Sequence, residues 1–482
     1  MYVKMTQLQH ILKRPDTYVG SIESITQPMW VFDDASGMIK RRTISYVPGL
    51  YKIFDEILVN AADNKQRDAS MDRLEVSIDP EANVISVCNN GKGIPISMHK
   101  EHKVYVPDLI FGHLLTSSNY DDDEKKVTGG RNGYGAKLAN IFSTSFTVET
   151  VDSRQGLKYI QTFTDNMGSK TEPEITKVAK DKRGRGDYTR ITFSPDLARF
   201  GMETLDDDVV ALLKKRVHDM AGVTDASVKV YLNGTRIAAT GFEKYVGLYV
   251  PDESAPRVFA RINDRWEVCV SVSDGQFNQV SFVNAICTVK GGQHVDYIAD
   301  QVTKEMVRLA NRKNKGVQVK PHHVKNHLFV FVNALIENPA FDSQTKETLT
   351  TRSKAFGSTA ELPPKFLKAV AAAGVVDRVL AWAKFKQTSE LKRVGGSKKV
   401  NLSGIPKLND ANWAGGARSG QCTLILTEGD SAMTTAVSGL SVVGRDAYGV
   451  FPLKGKPLNV REATHASIMA NTEISNIVKI MG

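Results

Sequence analysis

The sequence predicts an α+β protein, because helical and strand patterns alternate along its first half. Between residues 51 and 70, apolar side chains recur at the spacing of one helix face. Residues 74–78 and 84–88 then alternate apolar and polar side chains, as two paired strands do on either side of a turn. Residues 146–150 and 159–163 are predicted to be further strands. We therefore expect a sandwich built from helices and strands.

The chain after residue 230 continues the same mixture of elements. Strands are predicted at 268–272, 280–284 and 327–332, a basic helix at 295–313, and a helix rich in Ala and Val at 363–385. A polar, glycine-rich and basic segment follows, and then a strand at 423–427 that leads directly into Glu428. The expected organisation is a first domain at 1–230, a second at 231–395, a linker at 396–416 and a third, incomplete piece at 417–482.

The composition is that of an ordinary soluble globular protein, with 41% hydrophobic and 24% charged residues among 482. No stretch approaches the roughly 18 unbroken apolar residues of a membrane span. The first residues lack the apolar core of a signal peptide. The 4 cysteines lie far apart without a CxxC pair, so we expect reduced, buried thiols of an intracellular protein, without a zinc site or disulfides.

A net charge of +10 favours a polyanionic partner. The excess is concentrated in one segment, whose basic residues are Lys304, Arg308, Arg312, Lys313, Lys315, Lys320 and Lys325. Such a run is typical either of a solvated helix face or of a surface that contacts nucleic-acid phosphates. The charge alone does not distinguish these two interpretations.

A glycine-rich run at residues 129–137 is the most informative stretch of the chain. Its four glycines permit a tight bend that gathers backbone N–H groups, and the residues after it predict a helix whose N-terminus faces the same point. This arrangement suits a phosphate, although a flexible turn is the simpler alternative. The run has no Gly-Lys-Ser/Thr ending and follows a charged loop, so it is neither a P-loop nor a dinucleotide fingerprint.

The predicted helix at 51–70 carries Glu56, Asn60 and Asn64, whose spacing of four residues places them on one face. An amide oxygen is a suitable ligand for magnesium, and a nearby carboxylate can orient and deprotonate water. These side chains could instead cap neighbouring loops. Asn89 begins a short glycine-containing turn after a predicted strand, where an amide can meet the edge of a base.

These motifs together resemble the Bergerat-type ATP-binding fold shared by gyrase, Hsp90, histidine kinases and MutL. Residues 54–64 resemble its first box, 89–93 its adenine box and 129–137 its phosphate lid. Further on, Gln344-Thr345-Lys346 is similar to the γ-phosphate loop of type IIA topoisomerases, and residues 428–432 with 452–460 resemble the opening of their TOPRIM domain. The resemblance implies a Bergerat-type α/β sandwich, a ribosomal-S5-like transducer domain and a partial TOPRIM segment, in a form closest to the eukaryotic single-chain enzymes.

The resemblance also implies a role for each matching residue. Glu56 is expected to be the general base, Asn60 to hold the magnesium ion of ATP, and Asn89 to meet the adenine. Further nucleotide contacts are expected from Tyr2 of a dimer arm, Asn64, Ser117, Ser118, Asn119, Arg131, Asn132, Gly133, Tyr134, Gly135 and Lys137. Gln344 and Lys346 are expected to contact the γ-phosphate and to take part in catalysis.

The function that the resemblance implies is an ATP-hydrolysing clamp, which closes as a homodimer and captures double-stranded DNA. The basic segment at 304–325 would then contact that DNA, in the nucleus or on mitochondrial DNA. Glu428 resembles a TOPRIM magnesium ligand, but its companion carboxylates and a catalytic tyrosine are not found, so we expect ATPase activity without DNA cleavage from this chain. The alternatives are an Hsp90-like or MutL-like ATPase and a plain nucleotide-binding module.

Overall fold

The computed structural model describes residues 4–116, 125–130, 133–181, 184, 186–251, 255–313, 319–394, 405–461, 463 and 465–481. They form two units, the first made of Met1–Val302 with Leu328–Ala373 and the second of Thr303–His327 with Gly374–Gly482. The predicted domain limits at 230, 395 and 416 stay predictions.

The first unit begins with a mixed region that contains a large, mainly antiparallel sheet. Its helices are α1 Gln7–Lys13, α2 Asp16–Val19, α3 Pro48–Arg67, α4 Val106–Gly112, α5 Gly135–Ile141, α6 Asp207–Val223 and α7 Phe242–Gly247. Its strands are β1 Ile25–Asp33, β2 Met38–Tyr46, β3 Arg73–Asp79, β4 Val84–Asn90, β5 Ser143–Asp152, β6 Leu157–Thr164, β7 Ser169–Lys170, β8 Glu174–Lys177, β9 Tyr188–Pro195, β10 Lys229–Leu232 and β11 Thr235–Arg236. The sheet has the order β11-β10-β3-β4-β9-β5-β6-β7, with β8 on β6, while β1 and β2 form a separate hairpin.

Helix α3 is the element that positions the site. Its first turn starts at Pro48, which suits a position where no backbone N–H is needed, and it ends where Asp68 leaves helical geometry. The predicted helix at 51–70 is therefore correct in kind but displaced by three residues at each end. Besides Phe54 and Leu58, the helix buries charged side chains such as Glu56, so it lies inside the protein.

A second sheet belongs to the same unit. Its elements are β12 Val258–Asn263, β13 Trp266–Val272, β14 Asn278–Val283, β15 Ile286–Cys287 and β17 Leu328–Ala334, in the order β12-β13-β17-β14-β15. A small parallel pair is formed by β16 Gly291–Gly292 and β18 Thr348–Leu349. The helices of this part of the chain are α8 Gln293–Lys313, which continues beyond Val302 into the second unit, and α10 Pro364–Ala372. The strands predicted at 268–272, 280–284 and 327–332 are confirmed to within one or two residues.

One hydrophobic core joins the two sheets of the first unit. Trp30 of β1 stacks on Phe329 of β17 with ring centres 5.5 Å apart, and Tyr249 meets Phe331 at 5.4 Å. The second sheet therefore packs against the part of the unit that contains α3.

The second unit contains the end of α8, α9 Pro321–Lys325, α11 Val375–Val394, β19 Thr423–Glu428, α12 Gly429–Val443, β20 Tyr448–Leu453, α13 His465–Ala470 and α14 Thr472–Met481. Strand β19 pairs in parallel with β20, and α12 connects them. The single helix predicted at 363–385 is wrong, because Gly374 adopts a φ of 93° between α10 and α11.

Two sequence-based expectations about side chains and membranes have simple outcomes. The expectation of four buried thiols is wrong for Cys88, Cys287 and Cys422, which are partly exposed; only Cys269 is buried, and all four are unpaired. Among the described helices, none has both the length and the apolar character that crossing a membrane requires.

Candidate active site

A cavity of about 380 Å³ lies beside α3 in the first unit. Its lining includes every predicted nucleotide-site residue that the structure describes: Glu56, Asn60, Asn64, Asn89, Gly133, Tyr134, Gly135, Lys137, Gln344 and Lys346. The other predicted residues, Tyr2, Ser117, Ser118, Asn119, Arg131 and Asn132, lie outside the described residues. Side chains nearly 300 positions apart in sequence therefore share one cavity.

Glu56 is a buried carboxylate held by two ammonium groups. Its Oε1 lies 2.7 Å from Nζ of Lys52, one helical turn earlier, and 3.0 Å from Nζ of Lys346. Burial raises the pKa of Glu56, but the two ammonium groups more than offset this, and the pKa falls to about 2. Glu56 is therefore ionised, as a proton acceptor must be. Sequence reasoning missed Lys52, although its spacing of four residues from Glu56 was a usable signal.

Lys346 reaches Glu56 because its backbone turns sharply. The residue has a φ of 61°, and its N–H donates to the carbonyl of Ser343 at 3.1 Å. Its ammonium group is buried and also lies 3.4 Å from the carbonyl oxygen of Gly129. The loop that carries Gln344 and Lys346 is thus anchored next to both α3 and the glycine-rich run.

The glycine-rich run is fixed by Asp63, a residue that sequence reasoning did not select. The Asp63 carboxylate accepts from the N–H groups of Gly129 and Gly130, each at 3.0 Å. Burial raises the pKa of Asp63, while these two hydrogen bonds act in the opposite direction. Its position between Asn60 and Asn64 in the same motif was the available signal.

Gly135 begins α5 in direct contact with Glu56. A Cβ atom at this position would lie 2.1 Å from Oε2 of Glu56, far inside van der Waals contact. The close approach explains why a glycine follows Tyr134 here. It also places the N-terminal turn of α5 against the carboxylate and the cavity.

Replacing Gly135 with alanine should therefore displace Glu56 and lower kcat for ATP by about 100-fold, because an error of about 1 Å in a reacting group costs that much. The matched control is Gly420→Ala, where a Cβ meets nothing within 4 Å. Steady-state phosphate release measures kcat for both variants. A normal kcat in the Gly135 variant would mean that the carboxylate position is not critical.

Another part of the cavity has a lining that suits a nucleobase. Asn89 is buried and donates from Nδ2 to the carbonyl oxygen of Asn90 at 3.0 Å. Its Oδ1 is an acceptor of the kind that an exocyclic amine of a base requires. Ile94, Ile110 and Ile191 supply apolar lining there. Gly93 must be glycine, because a Cβ would lie 1.9 Å from the carbonyl oxygen of Val151.

Lys137 lies in α5 and donates from Nζ to the carbonyl oxygen of Thr116 at 2.5 Å. Burial lowers the pKa of Lys137 to about 8. The ammonium form, which binds phosphate, therefore predominates near pH 7 and is lost as the pH rises through 8. Tyr134, at the start of α5, accepts from Nε2 of Gln7 at 2.9 Å, so the segment that carries α1 contacts the edge of the cavity.

This pKa predicts how nucleotide affinity depends on pH. Wild type should bind a non-hydrolysable ATP analogue more tightly than Lys137→Met does. The ratio of the two affinities should fall about tenfold between pH 7 and pH 9, because at pH 9 the free wild-type protein must take up a proton at Lys137 to bind. Isothermal titration of both proteins at each pH cancels the titration of the nucleotide itself. An advantage that stays constant would show that Lys137 does not titrate in this range.

The remaining predicted residues lie in the second unit. Glu428 is exposed and precedes the first turn of α12. In the part of the chain that the structure describes, no group of three His, Cys, Asp or Glu side chains could hold a metal. Lys304, Arg308, Arg312, Lys313 and Lys320 are exposed, Lys325 is half-buried, and Lys315 lies outside the described residues.

Comparisons with known proteins agree with this geometry. Family models for histidine kinase-, DNA gyrase B- and HSP90-like ATPases and for DNA gyrase B match residues 46–199 and 228–395. Over the full length of this chain, the sequence is 60% identical to DNA topoisomerase 2 of Pisum sativum. The chain spans only 33% of the length of that relative.

Solved structures of ATPase regions match over nearly their whole length. The ATPase and transducer domains of DNA topoisomerase II from Balamuthia mandrillaris share 52% identity and a TM-score of 0.76, over 80% of this chain and 98% of that one. For the ATPase region of Saccharomyces cerevisiae topoisomerase II, the identity is 50% and the TM-score 0.74, over 79% of this chain and 99% of that one. The chain therefore belongs to the eukaryotic type IIA DNA topoisomerase family, topoisomerase II, and contains its ATPase region.

Proposed function

We propose that this chain binds and hydrolyses ATP as the N-terminal gate of a type II DNA topoisomerase. The observation that carries the proposal is the single cavity shared by α3, the glycine-rich run and the Lys346 loop. A nucleotide there would contact the large sheet, α3 and the loop that carries Lys346. An Hsp90-like or MutL-like ATPase is not favoured, because the similarity to topoisomerase II extends over the whole chain.

In this mechanism Glu56 orients the attacking water and accepts its proton. The Lys346 ammonium group, 3.0 Å from Glu56, would also donate a hydrogen bond to the γ-phosphate of ATP. Sharing the ammonium group with the phosphate weakens its effect on Glu56, so the pKa of Glu56 rises and the carboxylate becomes a better base. Lys346 thereby couples the presence of a γ-phosphate to activation of the water.

Magnesium fits this site through Asn60 and the phosphates of the substrate. Asn60 lines the cavity beside the glycine-rich run, and its amide oxygen is the type of hard ligand that magnesium accepts. Among the described residues there is no carboxylate cluster that would form a protein cage. The ion would supply charge neutralisation on the phosphates, as it does in other ATPases with few protein ligands.

Double-stranded DNA is the proposed macromolecular partner. Lys304, Arg308 and Arg312 are exposed at intervals of four residues on α8, so they form one basic helix face. Arg308 also pairs with Glu305 at 2.6 Å, which lowers the local positive potential. Such a face, with Lys313, Lys315, Lys320 and Lys325 nearby in sequence, suits phosphate contacts that do not read the base sequence.

Four further parts of the proposal concern assembly, the end of the chain, localisation and DNA cleavage. Closure as a homodimer is proposed from the similarity to topoisomerase II, and the contact of Gln7 with Tyr134 places the N-terminal segment beside the site. The β19-α12-β20 segment is proposed to be the beginning of a TOPRIM domain, with Glu428 as one magnesium ligand. We propose action in the nucleus, with mitochondrial DNA as the alternative, and no DNA cleavage by these residues alone.

The proposal is tested by measuring phosphate release with and without linear duplex DNA, and molar mass by light scattering with and without a non-hydrolysable analogue. We expect ATP hydrolysis that DNA accelerates and an analogue-dependent shift from monomer to dimer. Replacing Lys304, Arg308 and Arg312 together by alanine should remove the acceleration and keep the basal rate, whereas Lys177→Ala with Lys229→Ala should change neither. Absence of hydrolysis by wild type would refute the proposed activity.

A further inference from the structure

The turn between β14 and β15 connects more parts of the site than its position suggests. Its two residues, Asn284 and Ala285, have left-handed backbones with φ of 50° and 63°. Asn284 is 2% exposed, which is unusual for a polar turn residue. Neither residue lines the cavity.

The amide of Asn284 holds two catalytic segments together. Its Nδ2 donates to the carbonyl oxygens of Ile336 at 2.9 Å and of Thr128 at 3.2 Å, and its Oδ1 accepts from the N–H of Ile336 at 2.8 Å. Ile336 follows β17 and begins the segment that leads to Lys346. Thr128 immediately precedes Gly129, whose carbonyl oxygen contacts the Lys346 ammonium group.

The carbonyl group of Ala285, the other residue of the turn, is linked to α3, the helix that carries Glu56. The carbonyl oxygen of Ala285 accepts from Nη2 of Arg216 at 2.6 Å, and Nε of the same guanidinium donates to Asp55 at 2.7 Å. Asp55 precedes Glu56 on α3 and lies 3.7 Å from Lys52, which itself pairs with Glu56. The turn thus has hydrogen-bonded links to the glycine-rich run, the Lys346 segment and α3.

We propose that Asn284 is a positioning residue for ATP hydrolysis, which sets the glycine-rich run against the Lys346 segment. Only an amide meets the requirement, because the site needs two donated bonds and one accepted bond on a left-handed backbone. The inference rests on the proposed ATPase activity and adds to it a residue that touches neither substrate nor metal.

The chain contains a matched control for a purely structural role. Asn233, in the turn between β10 and β11, has a φ of 47° and the same pair of bonds to one backbone residue. Its Nδ2 donates to the carbonyl oxygen of Ile78 at 3.2 Å, and its Oδ1 accepts from the N–H of Ile78 at 2.8 Å. This turn lies outside the cavity lining.

The test compares Asn284→Gly with Asn233→Gly, because glycine keeps the left-handed backbone and removes only the amide. For each protein we would measure the melting temperature, the affinity for a non-hydrolysable ATP analogue, and kcat and KM for ATP well below the melting transition. We expect Asn284→Gly to bind the analogue within about twofold of wild type and to lose at least about tenfold in kcat. Asn233→Gly should keep both values.

A wild-type kcat in folded Asn284→Gly would overturn the inference, and so would equal losses of kcat in the two glycine variants. If Asn284→Gly does not melt cooperatively, the same measurements are made on Asn284→Asp with Asn233→Asp as its control. Aspartate keeps the hydrogen bond that Oδ1 accepts and the tolerance for a left-handed backbone. Loss of kcat with retained binding supports the inference in either pair. Wild-type protein that fails to hydrolyse ATP would instead refute the activity itself.

Discussion

Replacing Glu56 with glutamine should lower kcat for ATP by 10²- to 10⁴-fold, about the contribution of a positioned general base. Glutamine keeps the shape of the side chain, and its amide oxygen can still accept from Lys52 and Lys346, but it cannot take a proton from water. Affinity for a non-hydrolysable analogue should stay within about threefold of wild type, because Glu56 occupies the hydrolytic end of the cavity. Phosphate release and equilibrium binding provide the two measurements.

The control for this variant is Glu149→Gln. Glu149 also pairs with a lysine, Lys158, at 2.6 Å, but it does not line the cavity. It should lose some stability and keep its turnover. Comparable turnover in Glu56→Gln and wild type would remove Glu56 from the role of base.

Replacing Lys346 with methionine is the second change with a large expected effect. The variant loses the donor for the γ-phosphate, which should reduce kcat by about 10²- to 10³-fold. Its preference for a non-hydrolysable ATP analogue over ADP should fall clearly below that of wild type, because Gln344 is then left as the remaining expected contact of the γ-phosphate. Loss of this ammonium group raises the pKa of Glu56, so the carboxylate itself stays competent as a base.

Titration calorimetry with ADP and the analogue separates this role from a general loss of structure. Lys354→Met removes an exposed lysine and should leave both affinities and kcat unchanged. If Lys346→Met still prefers the analogue over ADP as strongly as wild type does, Lys346 does not contact the γ-phosphate.

The local part of the site was predictable from sequence because it depends on helix periodicity. Glu56, Asn60 and Asn64 share one face at any position of a regular helix, and the glycines after Thr128 indicate where the backbone bends. The strands at 74–78 and 84–88 were likewise predictable, because their alternation has a period of two. Family membership is confirmed by the comparisons, while the individual roles of the site residues stay predictions.

The residues that sequence reasoning missed are ones whose burial or distant partners only the structure shows. In sequence, Lys52 looks like an exposed helix lysine, but the structure buries it beside Glu56. Asp63 accepts a hydrogen bond from Gly129, which lies 66 residues later in the chain. Asn284 is an ordinary turn residue in sequence. The break of the helix at Gly374 was missed for the opposite reason, because the Ala- and Val-rich pattern continues on both sides of one glycine.

The carboxylate of Asp63 has a consequence for how the loop receives its substrate. It already occupies the N–H groups of Gly129 and Gly130, as an anionic oxygen of a nucleotide would otherwise do. The carboxyl group of Asp63 therefore holds the start of the loop in place without a ligand. That part of the loop need not be fixed when a nucleotide enters, which reduces the entropic cost of association.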